Sequence, residues 1–296
     1  KVLAGLKAHA EAAHANPSVR AIVVTGKAGK FSGGFDISNF VGAGPGDSMN
    51  GFNDTLTSLF EAGPKPTVAA IDGLALGGGL EVAMACNSRV ATGYARLALP
   101  ELQLGVIPGF AGTQRLPRLV GLPKSLEMML KSKPIKAQEG FEFGLVDQIA
   151  NPEGLMLTAC TVALAIARGE LPRRQALQLT DKLPKSQEET TMIFEGAKAA
   201  AAKAAKHMPQ PMACIEAVQV GVEQGPRAGL AAEAACFARC VTSDASKGLV
   251  HVFFAQRGSS KVPGVTDRGL KPRGMKTIAI LGGGLMGSGI ATACLL

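Results

Sequence analysis

The sequence predicts an α/β fold with mainly parallel strand pairing over about the first 150 residues. Short apolar runs rich in β-branched residues alternate there with helical patterns, an order that is typical of a parallel sheet. Glycine-rich loops directly follow two of those runs. Beyond residue 150 helical patterns dominate, so a helical region is expected after the sheet.

The predicted strands of the first part are short and apolar, as buried strands are. They cover residues 20–25, 67–71, 89–92 and 96–99. The spacing of apolar residues predicts helices over 2–15, 53–62 and 80–86. Pro64 and Pro66 follow the second of these helices, and proline ends a helix because it lacks the N–H that the helix interior needs.

The second part begins with predicted helices over 155–168, 187–206, 211–223 and 230–241, followed by an apolar docking segment at 249–256. Residues 258–274 are rich in Gly, Pro, Lys and Arg without periodicity, which indicates a linker, and a new strand is predicted over 276–281. The uncharged stretch 277–296 is long enough to suggest a membrane span. Five glycines in its centre favour a strand–turn–helix instead.

Charge and composition restrict the class of partner. The 31 Lys and Arg exceed the 23 Asp and Glu, giving a formal net charge of +8 and a pI near 9.3, which suits an anionic partner. The basic residues are scattered, and a single Tyr with no Trp argues against binding nucleic acid by base stacking. None of the six cysteines belongs to a CxxC pair, so no zinc site is predicted.

Two glycine loops are the first candidate for chemistry. Gly33 and Gly34 lie in the first loop, and Gly77 to Gly79 form the second, directly before a predicted helix. Loops without side chains let a ligand approach the backbone, and a helix N-terminus adds positive potential. Two N–H groups that converge on one carbonyl would form an oxyanion hole, although two tight turns would explain the same glycines.

Two carboxylates are the second candidate. Glu81 lies on the first turn of the helix after the second loop, and Glu101 lies in an otherwise apolar stretch. An acid in apolar surroundings has a raised pKa and can transfer protons near neutral pH. Two such acids aimed at one ligand could hold a water molecule between them. A helix-start charge and a surface ion pair are the structural alternative.

A third glycine loop lies near the end of the sequence. Gly282, Gly284 and Gly287 form a GxGxxG pattern directly after the predicted strand over 276–281. In that context the pattern is typical of a dinucleotide-binding turn, where the pyrophosphate approaches a helix N-terminus. The acidic residue expected about 20 positions later would lie at or beyond residue 296, so we expect no complete NAD site.

Three segments carry a resemblance to a known family through their order and spacing. They are FSGGFDI at 31–37, AAIDGLALGGGLEVAMAC at 69–86 and LALPELQLGVIPGFAGTQRLPRLVG at 97–121. This part of the chain resembles the enoyl-CoA hydratase (crotonase) superfamily. The resemblance implies a crotonase-like ββα spiral with an N-terminal strand or two missing.

The resemblance also implies roles for individual residues. The backbone N–H groups of Phe35 and Gly78 match the oxyanion hole that holds the thioester carbonyl. Gly33 and Phe35 match the loop that skirts the CoA adenine. Glu81 and Glu101 match the two catalytic acids, which implies that Glu81 activates water for C3 and that Glu101 donates a proton at C2.

The order of the modules extends the resemblance over nearly the whole chain. It resembles the multifunctional proteins of fatty-acid β-oxidation, the plant peroxisomal form above all, which join a 2-enoyl-CoA hydratase to a 3-hydroxyacyl-CoA dehydrogenase. The implied domains are a hydratase/isomerase domain over 1–185, a helical connector and linker over 186–274, and a truncated Rossmann βα start over 275–296. We therefore interpret the sequence as a fragment, and the resemblance implies a peroxisomal location.

The expected activity is syn addition of water to trans-2-enoyl-CoA, with an acyl-CoA thioester as substrate and neither cofactor nor metal. NAD would serve the dehydrogenase domain of the intact protein alone. Two alternatives stay open: Δ3,Δ2-enoyl-CoA isomerisation, with Glu101 moving a proton between C2 and C4, and a non-catalytic scaffold or basic RNA-binding module. Ala111 departs from the family pattern, which commonly has glycine there.

Overall fold

The larger β-sheet is parallel throughout, as the alternation of strands and helices predicts. The structure is a computed structural model that describes residues 2–40, 53–204, 208–259, 261–266 and 274–295. Within them the sheet has the spatial order β1-β2-β4-β7. Its strands are β1 (Ile22–Thr25), β2 (Thr67–Ile71), β4 (Ser88–Thr92) and β7 (Gln148–Ala150).

A smaller sheet contains β3 (Leu74–Leu76), β5 (Arg96–Ala98) and β6 (Ile135–Lys136). β3 pairs with β5 in parallel, and β5 pairs with β6 in antiparallel orientation. Only β5 was predicted from the sequence. β3, β6 and β7 each have three residues or fewer, too few to show a periodic pattern.

Helices surround both sheets and account for most of the second half of the chain. The helix predicted over 53–62 is largely a π-helix at Leu56–Glu61, and the docking segment at 249–256 is helical. Residues 205 and 206 of the predicted helix 187–206 lie outside the described residues. The α-helices are α1 (Val2–Ala15), α2 (Gly78–Ala85), α3 (Gly112–Val120), α4 (Leu122–Lys131), α5 (Ala137–Phe143), α6 (Leu155–Ala167), α7 (Gln187–Ala204), α8 (Gln210–Glu223), α9 (Pro226–Val241), α10 (Asp244–Ser259) and α11 (Leu285–Leu295).

The core extends from the strands into the later helices. Ile71 of β2 and Leu80 of α2 belong to the same buried cluster as Val218 of α8 and Phe237 of α9. Burial of such side chains stabilises the fold by about 1.5–3 kcal/mol each. The chain accordingly divides into two compact units, Lys1–Val252 and Phe253–Leu296. This division differs from the predicted boundaries at 185 and 274, which stay predictions.

The unit Phe253–Leu296 contains the third glycine loop. Residues 276–281 form no strand in the described part of this unit, because a strand needs a neighbour to accept and donate its ladder hydrogen bonds. α11 follows the loop, as the strand–turn–helix interpretation predicts. A Cβ on Gly287 would lie 1.9 Å from the carbonyl oxygen of Gly282, so glycine is required at 287.

No helix in the described part of the chain is long and apolar enough to span a membrane.

Candidate active site

The first and second glycine loops lie side by side. Ser32, directly before the first loop, donates its N–H to the Leu74 carbonyl at 2.8 Å and accepts the Leu76 N–H at 3.0 Å. A Cβ on Gly34 would lie 2.8 Å from the Leu76 carbonyl oxygen, and Gly34 has a φ of 96°. The close approach and the left-handed backbone both require glycine at 34.

The two predicted oxyanion residues lie around one aromatic side chain. Gly78 is the first residue of α2, where a backbone N–H has no acceptor within the helix. A Cβ on Gly78 would lie 3.3 Å from Cδ2 of Phe110. The Phe35 ring lies 5.3 Å from the Phe110 ring between centroids. The structure thus brings the loops of Phe35 and Gly78 to a common neighbour, and their role as donors stays a prediction.

Gly33, which the resemblance assigns to the CoA adenine, lies beside a lysine. A Cβ on Gly33 would be 3.6 Å from Cε and 3.9 Å from Nζ of Lys30. An ammonium group at this place offers an attractive charge to an anionic ligand. The predicted contact with CoA stays a prediction.

Glu81 on α2 is a buried carboxylate with two backbone donors. Its side chain is 1% exposed, and Oε1 accepts the N–H groups of Phe110 and Gly112, both at 2.8 Å. Burial, followed by the negative charges of Glu101 and Glu233, raises the pKa of Glu81 well above its ordinary value. The two N–H donors act in the opposite direction because they stabilise the ionised form.

Glu101 begins a 3-10 helix, Glu101–Leu104, beside the second glycine loop. The residue is partly exposed, but its Oε2 atom is buried and has no hydrogen-bond partner among the described residues. Burial raises the pKa of Glu101 to about 8. The hydrogen bond from its own backbone N–H acts in the opposite direction, and the negative charge of Glu233 raises the pKa further. Glu101 is therefore largely protonated at neutral pH.

The glycine turn brings the two predicted acids together. A Cβ on Gly77 would lie 3.0 Å from Oε1 of Glu101, and one on Gly78 would lie 3.9 Å from Oε2 of Glu81. The carboxyl groups thus flank two consecutive glycines. A ligand carbonyl at this turn would have two acids within reach. Glu81 has two N–H donors from another loop, and Glu101 has a buried oxygen without a partner among the described residues, which is an arrangement for general acid–base chemistry.

A third buried carboxylate, Glu233 of α9, belongs to the same cluster and was not predicted. It is 0% exposed. Its Oε1 accepts the Ala111 N–H at 2.6 Å, and its Oε2 accepts the N–H and the hydroxyl of Thr113 at 3.0 and 2.6 Å. Burial raises the pKa of Glu233 to about 7, while these donors and the Arg115 charge lower it. The only sequence signal is a single acid in the apolar helical segment 230–241.

Ala111, the departure from the family pattern, lies in the loop that joins these acids. Its φ of 65° and ψ of 19° are left-handed, a region that costs a non-glycine residue roughly 1–2 kcal/mol. Arg115, in addition to Glu81 and Glu233, contacts the backbone of this loop. It donates to the Phe110 carbonyl at 3.0 Å and forms a buried ion pair with Glu61 at 2.9 Å.

Among the described residues, no group of three or more His, Cys, Asp or Glu is arranged to hold a metal ion.

The fold and the paired acids on a glycine turn correspond to one class of protein. The model of the enoyl-CoA hydratase/isomerase family matches residues 1–208. This chain belongs to the enoyl-CoA hydratase/isomerase family. A crystal structure of an enoyl-CoA hydratase/isomerase from Pseudoalteromonas atlantica T6c matches with a TM-score of 0.60 and 22% identity over 86% of each chain. The crotonase-like fold is confirmed.

Plant proteins are among the curated relatives that the chain matches over its whole length. The chain is 55% identical to the peroxisomal fatty acid beta-oxidation multifunctional protein MFP2 of Arabidopsis thaliana. It is 57% identical to the glyoxysomal fatty acid beta-oxidation multifunctional protein MFP-a of Cucumis sativus. Both alignments cover 100% of this chain and 41% of the relative, so the chain spans about two fifths of the length of these relatives.

Proposed function

We propose that this chain adds water to trans-2-enoyl-CoA thioesters and produces 3-hydroxyacyl-CoA. One observation carries the proposal. Glu81 and Glu101 flank the turn at Gly77 and Gly78, and they differ in their hydrogen bonding. Glu81 has two backbone donors on one oxygen, whereas Glu101 has a buried oxygen without a partner in the described part of the chain.

The backbone supplies the electrophilic part of the proposed reaction. The thioester carbonyl would accept the N–H groups of Phe35 and Gly78, which belong to the adjoining first and second loops. Negative charge collects on that oxygen when a nucleophile adds at C3, and preorganised donors stabilise it. The positive end of α2 adds to this stabilisation because its first N–H groups point out of the helix.

The two acids supply the proton transfers. In the proposed step the Glu81 carboxylate takes a proton from water while the water oxygen bonds to C3. The raised pKa of Glu81 makes its carboxylate a stronger base, and the two N–H donors on Oε1 hold it in place. The C2–C3 π electrons then form a bond to a proton from Glu101, whose pKa of about 8 keeps it protonated. The charges of these acids act on one another, so a titration would give apparent pKa values that belong to the group of acids.

Isomerisation is the second candidate. The unpartnered oxygen of Glu101 could take a proton from one carbon of a 3-enoyl chain and return it to another. This reaction needs the same oxyanion donors but no water. The two reactions are therefore separated by whether 2-enoyl-CoA gains water and whether 3-enoyl-CoA is converted to 2-enoyl-CoA.

For the longer protein we propose a place in fatty-acid β-oxidation, in the peroxisome, because the plant relatives are named for that pathway and one is named peroxisomal, the other glyoxysomal. NAD would accept hydride from the 3-hydroxyacyl product there. Gly282, Gly284 and Gly287 would let the pyrophosphate approach the N-terminus of α11, and the close packing of Gly287 against Gly282 fits such a turn.

The test follows the loss of the enoyl-thioester absorbance of crotonyl-CoA. We expect turnover by the wild-type chain and by Glu216→Gln, an exposed acid paired with Arg239, and strong losses in Glu81→Gln and Glu101→Gln. Turnover of 3-enoyl-CoA without hydration of 2-enoyl-CoA would support the isomerase instead. Absence of both activities together with salt-dependent RNA binding would overturn the enzymatic proposal.

A further inference from the structure

Four consecutive backbone N–H groups, those of residues 110–113, are shared alternately by two carboxylates. The first and third donate to Oε1 of Glu81, both at 2.8 Å. The second and fourth donate to the two oxygens of Glu233, at 2.6 and 3.0 Å. Because the donors alternate along one short segment, we expect loss of the hydrogen bonds to Glu233 to weaken those to Glu81.

We propose that Glu233 is a positioning residue for hydration: its carboxylate holds segment 110–113, where the loop enters α3, so that two N–H groups of this segment fix Glu81. The proposal rests on the proposed hydratase function. Glu233 acts through the loop, and no contact with substrate is required of it. A helix predicted as part of a connector thereby completes the active site.

The chemistry around Glu233 calls for a group that only accepts hydrogen bonds. Its partners are the N–H of Ala111 together with the N–H and the hydroxyl of Thr113. The hydroxyl of Thr113 is itself an acceptor for Nε2 of Gln114 at 2.9 Å, which leaves its hydrogen for Glu233. A glutamine at 233 would direct an NH2 group toward one of these donors, so a neutral isostere cannot reproduce the arrangement.

The loop needs such a restraint because its backbone is not in an intrinsically preferred conformation. Ala111 has a φ of 65°, and its N–H donates to Glu233. Loss of that hydrogen bond leaves the Ala111 carbonyl, which accepts the N–H groups of Gln114 and Arg115, as the remaining hydrogen-bonding restraint on its backbone, and favours a return to the right-handed region that alanine prefers. The N–H groups on either side of Ala111 would then turn away from Glu81. Strained conformations of this kind persist only where the surroundings hold them.

The charge of Glu233 gives a second signature. Titratable groups from four elements face it: Glu81 of α2, Glu101 of the 3-10 helix, Arg115 of α3 and Cys214 of α8. The negative charge of Glu233 raises the pKa of Glu101. Removal of that charge should therefore lower the pKa of Glu101 and move the loss of activity at high pH to a lower pH.

The experiment compares Glu233→Gln with Glu216→Gln in the whole 296-residue chain, with crotonyl-CoA as substrate. We expect kcat of Glu233→Gln to fall about 10- to 100-fold, with little change in KM. The loss of activity at high pH should begin at a lower pH than in the wild-type chain. Glu233→Asp should lose activity at the same high pH as the wild-type chain, but it should recover only part of kcat. A folded Glu233→Gln chain with the wild-type kcat and pH profile would overturn the proposal.

Amide hydrogen exchange over residues 110–113 separates failure of this inference from failure of the proposed function. If the wild-type chain hydrates no enoyl-CoA, faster exchange in Glu233→Gln would still support the positioning of the loop, and unchanged exchange would refute it. If Glu233→Gln does not fold, Thr113→Val removes the hydroxyl donor alone. We expect a smaller fall in kcat from Thr113→Val, and wild-type kcat and exchange there would contradict the proposal.

Discussion

Glu81 and Glu101 lie on two sides of one glycine turn, yet their surroundings differ. Glu81 is buried beneath a loop whose N–H groups donate to one of its oxygens. Glu101 has a buried oxygen without a partner in the described part of the chain. Burial raises the pKa of both. Glu81 accepts two N–H groups from another loop, whereas the backbone donor that lowers the pKa of Glu101 is its own N–H. The number and source of the donors, two from another loop for Glu81 and one from its own backbone for Glu101, therefore distinguish the expected base from the expected acid.

The difference follows from how the two segments are held. The loop over Glu81 is fixed by side chains that contact its backbone, among them Glu233 and Arg115. The turn of Glu101 is held at its carbonyl groups, where Gln210 donates to Leu102 at 3.1 Å and Ser246 donates to Leu104 at 3.0 Å.

Glu81→Gln should give the largest effect. Glutamine keeps an oxygen for the N–H groups of Phe110 and Gly112, so we expect the fold to survive, but an amide cannot take a proton from water. Loss of a general base should reduce kcat for crotonyl-CoA by about 10³-fold. Thermal unfolding close to that of the wild type would show that chemistry alone is lost. A kcat within about tenfold of the wild type would contradict the role of base.

Gly112→Ala should disturb the hydrogen bonds that the 110–113 segment donates to Glu81. A Cβ at this position would lie 2.5 Å from Oε1 of Glu81 and 2.8 Å from Cβ of Pro108. We expect a loss of about 1–3 kcal/mol in the free energy of unfolding together with a fall in kcat, measured by urea titration and by the crotonyl-CoA assay. The control is Gly196→Ala on α7, where nothing lies within 4 Å of the new Cβ. It should be neutral or stabilising, and equal losses in the two variants would contradict the close approach.

Ala111→Gly should have the smallest effect. Glycine removes the cost of the left-handed φ of 65° but increases the freedom of the unfolded chain. We expect a net gain of about 1 kcal/mol or less in the free energy of unfolding, with kcat unchanged because the hydrogen bonds of the loop remain. A loss of stability would show that the Ala111 methyl group contributes packing that outweighs its backbone strain.

The sequence predicted those parts of the site whose signal is local. Glu81 and Glu101 could be found because Glu81 closely follows a glycine turn and Glu101 closely follows an apolar strand. Their separation of 20 residues also matches the spacing of the family's motifs. Glu233 could not be found because its hydrogen-bond partners lie 120 and 122 residues away, and no local pattern reveals such a contact.

The same distinction explains the fold. Apolar runs predicted β1, β2, β4 and β5, and the run at β5 was recognised although the strand has only three residues. β3, β6 and β7 are equally short or shorter and were not predicted. The helical pattern of α8 and α9 gave their existence but not the core that they share with the strands, because periodicity shows which face is apolar and not what covers it. The strand predicted over 276–281 has no ladder partner in the described residues of its unit.

The pH dependence of kcat/KM for crotonyl-CoA tests most directly whether Glu101 is the acid of the pair that it forms with Glu81. The pKa of Glu101 is raised to about 8, and the protonated form is the proposed acid, so the wild-type rate should fall as the pH rises through that value. Glu101→Gln has no proton to lose there, so its residual rate should show no corresponding fall. The same fall in both proteins would contradict Glu101 as the proton donor.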